Sequence, residues 1–360
     1  MSNNKKKQIV LENGYKAEAH APVIVSASRS TDIPAFYSDW FFHRLKVGYS
    51  AWTNPFNGKK LYVSYEDTKF IVFWSKNPRP LLSRLDELKE KGIGCYIQYT
   101  LNDYEKEKLE KGVRPLAERI ETFKLLVDKL GKGAVIWRFD PLILTDTISI
   151  DDLIRKIEFI GDSLHGYTKK LVFSFADIAS YRKVKANLEK SNINYREWDD
   201  EAMVEFASKL AELNKKWNYE LATCGEKIDF EQFGIKHNHC IDDRLIVRLG
   251  YSSPELMKFL GAEIVREQPV QQDLFATEDS QIIPNDAILL DNGEYAVINK
   301  NNKDKGQREF CGCMKSKDIG EYDTCPHLCE YCYANTSKEI AIRNWKQHKC
   351  NPYSETITGK

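Results

Sequence analysis

From Pro22 onward, short apolar runs alternate with amphipathic stretches. VIVSAS, FIVFWS, CYIQYTL, AVIWRF, KLVFSFAD and YELATC are apolar on both faces, as strands buried within a parallel sheet are. YSAWTN is a further strand candidate. AFYSDWFFHRL, LLSRLDELKEKG, PLAERIETFKLLVDKLG and EAMVEFASKLAELNKKW lie between these runs and carry helical spacing. In the third, Leu116, Ile120, Phe123, Val127 and Leu130 recur on one face and Gly131 supplies the stop. Ser149, with Asp152 three residues on, predicts a capped helix reaching about Leu164.

Strands alternating with helices predict an α/β fold, specifically a (β/α) barrel, complete or partial, with a small C-terminal Cys-rich cluster module. A doubly wound open sheet is the alternative, and periodicity alone does not separate the two. No Gly-rich dinucleotide or phosphate loop follows any strand. The organisation reads as a polar N-terminal tail over 1–20 with a short hairpin at Asn13-Gly14, a barrel-like domain over 21–262, a linker and small hairpin over 263–308 turning at Asn292-Gly293, and the Cys-rich module over 309–360.

Composition narrows the picture. Of 360 residues, 53 are Lys or Arg and 53 are Asp or Glu. A balanced charge excludes a polyanion binder acting through bulk charge, though not a local basic groove. No apolar run approaches about 18 residues, so no membrane partner is expected. Lys5–Lys7 lack the apolar stretch of a signal peptide, and the expectation is a cytoplasmic protein. There are nine cysteines, six of them within the last fifty residues. In a reducing compartment such thiols point to metal or redox roles before disulfides.

Polar residues collect where the apolar runs end: Ser28-Arg29-Ser30-Thr31-Asp32, Thr53-Asn54, Ser75-Lys76-Asn77, Arg138-Phe139-Asp140, Ser174 to Asp177 and Thr223 to Glu226. In a barrel these converge at one mouth. Loops are polar anyway, but charged groups attached directly to apolar strands are costly unless paired or used. Arg29, Asp32, Lys76, Arg138, Asp140 and Asp177 are therefore the candidate catalytic or substrate-binding residues. Arg138 and Asp140, two apart on a strand, share a face and form an ion pair or hold an anionic substrate group.

CPHLCEYCYAN carries the most specific signal. Cys325, Cys329 and Cys332 are spaced x3 and x2, with Tyr331 before the third. Three thiolates on one tight loop suit an iron–sulfur cluster that leaves one iron open; structural zinc is the alternative, but wants a fourth nearby ligand. The spacing resembles the CxxxCxφC motif of the radical S-adenosylmethionine (SAM) enzymes, and Tyr333 is similar to a residue trailing that motif in those that repair DNA photoproducts. The resemblance implies a [4Fe-4S] cluster on Cys325, Cys329 and Cys332. It also implies SAM beside Tyr331, Tyr333 and Asn335, cleavage to a 5′-deoxyadenosyl radical, a ferredoxin- or flavodoxin-like reductant, and a nucleic-acid or nucleotide substrate, as in DNA repair. One departure stands out. In that superfamily the motif follows the first strand, whereas here 28 residues follow Cys332 and the barrel-like units lie upstream. The nearest text to the superfamily's GGE segment is Cys224-Gly225-Glu226, out of order. SASRSTDIPAFY, FWSKNP, RFDP and the cysteine segments together also resemble an uncharacterised bacterial family of unknown function, over about residues 20 to 340.

Four more cysteines belong together: Cys311 and Cys313 form a tight pair, while Cys224 and Cys240 follow strand candidates. Four thiolates close a second iron–sulfur cluster or a zinc site; the alternative is that Cys224 and Cys240 are small core residues. Cys95 reads as core and Cys350 as free. His327 within the triad reads as a supporting residue rather than a ligand, and His237 and His239 as loop residues. In the linker, Gln271-Gln272-Asp273-Leu274-Phe275 resembles the peptide by which bacterial DNA-processing proteins dock on the sliding clamp, unless Leu274 and Phe275 fold back on the barrel. The rival function is a non-catalytic DNA-associated protein with structural zinc and that clamp peptide.

Overall fold

The computed structural model describes residues 5–54, 57–265, 284 and 286–359; Gln271–Phe275 lies outside them. Eight strands make the main sheet: β1 (Ile24–Ala27), β2 (Phe70–Ser75), β3 (Gly94–Thr100), β4 (Val135–Leu142), β5 (Lys170–Phe175), β6 (Glu220–Thr223), β7 (Ile235–His237) and β8 (Lys317–Asp318). All are parallel, in the order β7-β6-β5-β4-β3-β2-β1-β8. That succession is compatible with a partial (β/α) barrel. Among the described residues no ladder joins β7 to β8, the pairing that closure requires.

The sheet is apolar on both faces because both are covered. Phe73, Ile97, Trp137, Phe139 and Phe173 pack beneath a layer of helices that includes α1 (Leu116–Leu130), α2 (Ile150–Leu164) and α3 (Asp200–Asn214). Val72, Tyr96, Ile136 and Val172 face α4 (Asp243–Gly250), α5 (Pro254–Leu260) and a small antiparallel sheet containing Ile288–Leu289 and Tyr295–Ile298. Ser149 caps α2 through the reciprocal bond with Asp152 that its sequence predicts. The hairpin about Asn292-Gly293 forms, with Gly293 at φ +88°.

Two assignments change. YSAWTN does not join the main sheet: Tyr49–Thr53 runs antiparallel to Lys60–Ser64 in a separate four-stranded sheet. Thr53-Asn54 is consequently not one of the main sheet's tips. The predicted polar tail contributes to the same small sheet, Lys6–Val10 and Lys16–His20 pairing across the Asn13-Gly14 turn. No sequence pattern announces β8. Its Asp318 carboxylate accepts bonds from Ser28 Oγ (2.8 Å), the Arg29 amide (2.8 Å) and Ser26 Oγ (3.1 Å), and these fix it beside β1.

The last segment folds back over the sheet. Trp40 Nε1 donates to the Ser354 carbonyl (2.9 Å), the Ala51 amide donates to Glu355 O (2.8 Å), and Trp345 packs edge-on to Tyr37. The C-terminal helix (Lys338–Cys350) is thereby anchored, and the preceding cysteine loop is held over the C-terminal edge of the strands. No described helix is long and apolar enough to cross a membrane.

Candidate functional site

Because the strands are parallel, their C-terminal ends share one edge, and the tips bearing Arg29, Asp32, Lys76, Arg138, Asp140, Asp177 and Cys224 gather there. The Cys325–Cys332 loop sits on that edge between two strand-following loops. From the first, Asp32 accepts a bond from His327 Nε2 (2.7 Å) while also accepting from Ser75 Oγ (2.7 Å) and the Lys76 amide (2.7 Å). From the loop after β3, Gly112 donates to the His327 carbonyl (2.9 Å), and Leu109 O receives the Glu330 amide (2.9 Å). A Cβ at Gly112 would lie 2.6 Å from that carbonyl oxygen, so the approach requires glycine. Within the loop Leu328 has φ +54°, a left-handed turn that an L side chain tolerates only when its surroundings enforce it. Asn335 grips Cys325 from both sides, donating to its carbonyl (2.8 Å) and accepting its amide (3.4 Å).

Cys329 is buried, and Cys325 and Cys332 are partly so. Burial pushes all three thiols up; at Cys329 the lowering pull of Lys76 is opposed by the charges of Glu110, Cys332 and Cys325. A single tetrahedral ion with metal–sulfur bonds of about 2.3 Å would hold its thiolates about 3.8 Å apart. Among the described residues only His239, Asp242 and Asp243 bring three such ligand atoms within 4.8 Å of one another. The three thiols of the loop are therefore set wider than a one-ion site.

Beside them lies a buried polar knot. Lys76 Nζ donates to Glu110 Oε1 (2.7 Å) and to the Tyr331 hydroxyl (2.9 Å); Asn102 Nδ2 donates to the same two oxygens (3.1 Å each); Tyr331 also donates to Glu110. Burial alone would raise Glu110, but Lys76 and Arg119 outweigh it and bring its carboxyl down to about 2. The Tyr331 hydroxyl is thus committed to the protein. Tyr333 points outward, 46% exposed, with its ring 6.1 Å from Tyr181 and its hydroxyl bonded to Arg29 O (2.6 Å).

The other four cysteines meet on the same sheet edge. Cys224 Sγ and Cys240 Sγ are 3.3 Å apart. Cys313 lies in the same buried cluster as Cys240, with the Ile241 amide 3.4 Å from its Sγ, and Cys224 and Cys311 pack against that cluster. Cys311 is lowered to about 7, chiefly by the neighbouring Cys313, which favours its ionised form. Cys240 is held deep in the sheet's inner face, its carbonyl accepting from Tyr96 OH (2.7 Å) and Gln98 Nε2 (2.8 Å). Cys95 is half-buried within β3 and pushed up to about 12 by loss of solvation alone, apart from both sets; Cys350 is exposed.

Charged residues occupy the space about these thiols. Arg138 donates to Cys240 Sγ (3.1 Å) and Gln98 Oε1 (3.3 Å) and pairs with Asp140, which also accepts from Ser174. Arg29 and Arg138 both lie over the Trp74 ring, 5.8 and 5.2 Å from its centre. Their Nε atoms are buried without a hydrogen-bond partner. Glu226 accepts the Phe175 amide (3.0 Å); burial and the Asp140 charge lift its carboxyl to about 7, against the pull of Arg308. Asp177 is exposed and accepts from the Ser180 amide (3.2 Å), with Glu226 within its electrostatic reach. His239 lies against Gly312 and beside Asp242 and Asp243, and His237 is exposed near Phe310. Glu110, Asn102, Asp318 and Arg308 escape the sequence reading. Glu226, two residues beyond Cys224, was read as part of the Thr223–Glu226 tip but was given no role of its own.

A family model described as Domain of unknown function (DUF1848) matches residues 24–334. The chain belongs to this family. The match starts at the first residue of β1 and ends two residues past Cys332, so the family unit comprises the main sheet and both cysteine sets, and leaves out the N-terminal hairpin and the C-terminal helix. No curated protein and no solved structure matches.

Proposed function

We propose that this member of the family is an iron–sulfur enzyme of the radical-SAM type acting on a nucleic-acid or nucleotide-like substrate. The observation that carries the reading is the position of Cys325, Cys329 and Cys332: three thiols on one loop, wider than a single-ion set, clamped by Asp32 and Gly112 to the sheet edge where the polar residues gather. The donor chemistry fits a thiolate-bound cluster with one iron left for an outside ligand. When bound, such a cluster supplies the electron that cleaves SAM to a 5′-deoxyadenosyl radical.

The chain's own residues have assignable parts. Lys76, whose ammonium is paired with Glu110, places a positive charge near Cys329 and favours its thiolate form. Asp32 and His327 position the loop. Arg29 and Arg138, each with an unpartnered buried Nε, are suited to an anionic group such as a phosphate or carboxylate. Trp74 beneath them and the exposed Tyr333 and Tyr181 rings are suited to stacking on a base. Glu226, with its carboxyl at about 7, is the group able to give or take a proton near neutrality.

The test is anaerobic purification with iron and sulfide analysis, followed by measurement of 5′-deoxyadenosine formed from SAM with dithionite. The expected result is a brown protein that releases 5′-deoxyadenosine above a Cys329→Ala control. Colourless protein holding only zinc would replace this reading with the structural-zinc one.

A further inference from the structure

We propose that Cys224, Cys240, Cys311 and Cys313 bind a second thiophilic metal centre, separate from that of the Cys325–Cys332 loop. The four residues come from three distant parts of the chain: the end of β6, the loop after β7, and the segment leading to β8. Isolated core cysteines have no reason to converge, yet here Cys224 and Cys240 touch at 3.3 Å and Cys313 and Cys311 pack in the same cluster. Four thiolates are a complete protein ligand set for zinc or for an iron–sulfur cluster.

The surroundings are built for sulfur carrying negative charge. Cys240 Sγ accepts from Arg138 Nη1 (3.1 Å) and from Asn238 Nδ2 (3.1 Å), and the Ile241 amide points at Cys313 Sγ (3.4 Å). N–H donors aimed at the sulfurs are the outer partners that orient and tune metal-bound thiolates. Three guanidinium groups, Arg29, Arg138 and Arg308, sit within electrostatic range of the set. The chain has only 15 arginines, so three around four thiols compensate a centre that is anionic when metallated. Arg138 is 1% exposed, and its Nε is a further buried donor without a partner. Among the described residues no three of these sulfurs lie within 4.8 Å of one another, which suits a cluster better than one ion; both are thiolate–metal chemistry, and the experiment separates them.

The test uses full-length protein purified anaerobically, as wild type, Cys329→Ala, Cys311→Ser and Cys240→Ser, with Cys350→Ser as the control, each assayed for iron, zinc and sulfide per chain. Cys329→Ala is expected to keep metal, and the double variant Cys329→Ala/Cys311→Ser to lose at least 80% of what remains. Sulfide and visible absorbance in Cys329→Ala identify a cluster; one zinc per chain without sulfide identifies a single ion; either supports the site. Cys311 is only half-buried, so its serine variant keeps the fold, checked by an unchanged melting transition. The proposal is overturned if Cys329→Ala holds no metal, if Cys311→Ser leaves the metal content at the Cys350→Ser level, or if Cys224 and Cys240 simply oxidise to a disulfide in metal-free protein. Wild type holding this metal without cleaving SAM would sink the radical reading and leave this one standing.

Discussion

The His327 imidazole donates to the Asp32 carboxylate at 2.7 Å, joining the centre of the CxxxC loop to the turn that follows β1. Both side chains are almost fully buried. Burial would raise Asp32, but bonds from His327, Ser75 and the Lys76 amide hold its carboxyl below the ordinary range. The loop that carries the thiols is therefore fixed by a charged contact 295 residues apart in sequence.

Breaking this contact is expected to cost about 3 kcal/mol, since one partner is left buried without the other. His327→Ala should lower the urea midpoint at unchanged slope and reduce iron retained per chain; His327→Gln, which keeps a donor, should recover part of both. Unchanged stability and iron in His327→Ala would remove Asp32 and His327 from the positioning role.

Glu110 leads to an acid-side expectation. Its folded value of about 2 lies below that of an unfolded glutamate, so it contributes stability above about pH 4.3 that is lost as the pH falls toward 2. Glu110→Gln should flatten that acid limb in denaturant titrations, and also destabilise at pH 7 because Lys76 loses its counter-charge. Tyr331→Phe deletes one hydroxyl from the same knot and should cost about 1–2 kcal/mol.

Glu226 has the opposite sign. Its carboxyl at about 7 is raised above the unfolded value, so its stabilising protonation is complete below about pH 4.3 and is lost as the pH rises through 7. Glu226→Gln should abolish the decline in stability between those limits. If Glu226 moves a proton in turnover, the same substitution should also remove an activity limb near pH 7, whereas a purely structural role would change stability alone.

Gly112→Ala tests the clamp from the other side. The added Cβ would meet the His327 and Pro326 carbonyl oxygens at 2.6 and 2.7 Å, and backbone must move to accommodate it. Iron on the Cys325–Cys332 loop is expected to fall at least fivefold while metal on the Cys224 set remains. Gly306→Ala, whose Cβ meets only Asp304 Oδ1 at 3.4 Å, is the control.

The alternation of apolar runs and helical stretches determined the class of fold, because a strand buried on both faces and a helix with one apolar stripe each leave a periodic trace in the chain. The CxxxCxxC spacing and the polar strand ends were legible for a similar reason: their residues are neighbours in sequence, or follow one another at successive strand tips. Placement of β8 was not legible, since Lys317–Asp318 has no apolar pattern and is held by Asp318 accepting from Ser26, Ser28 and Arg29. Nor was the departure of Tyr49–Thr53 to the outer sheet, which depends on its partner Lys60–Ser64. Tertiary structure alone decided that Glu110 neutralises Lys76, that Asp32 grips His327, and that four cysteines spread from residue 224 to 313 share one place. Such contacts depend on loop paths across the sheet edge, and sequence periodicity does not encode which distant loops meet there.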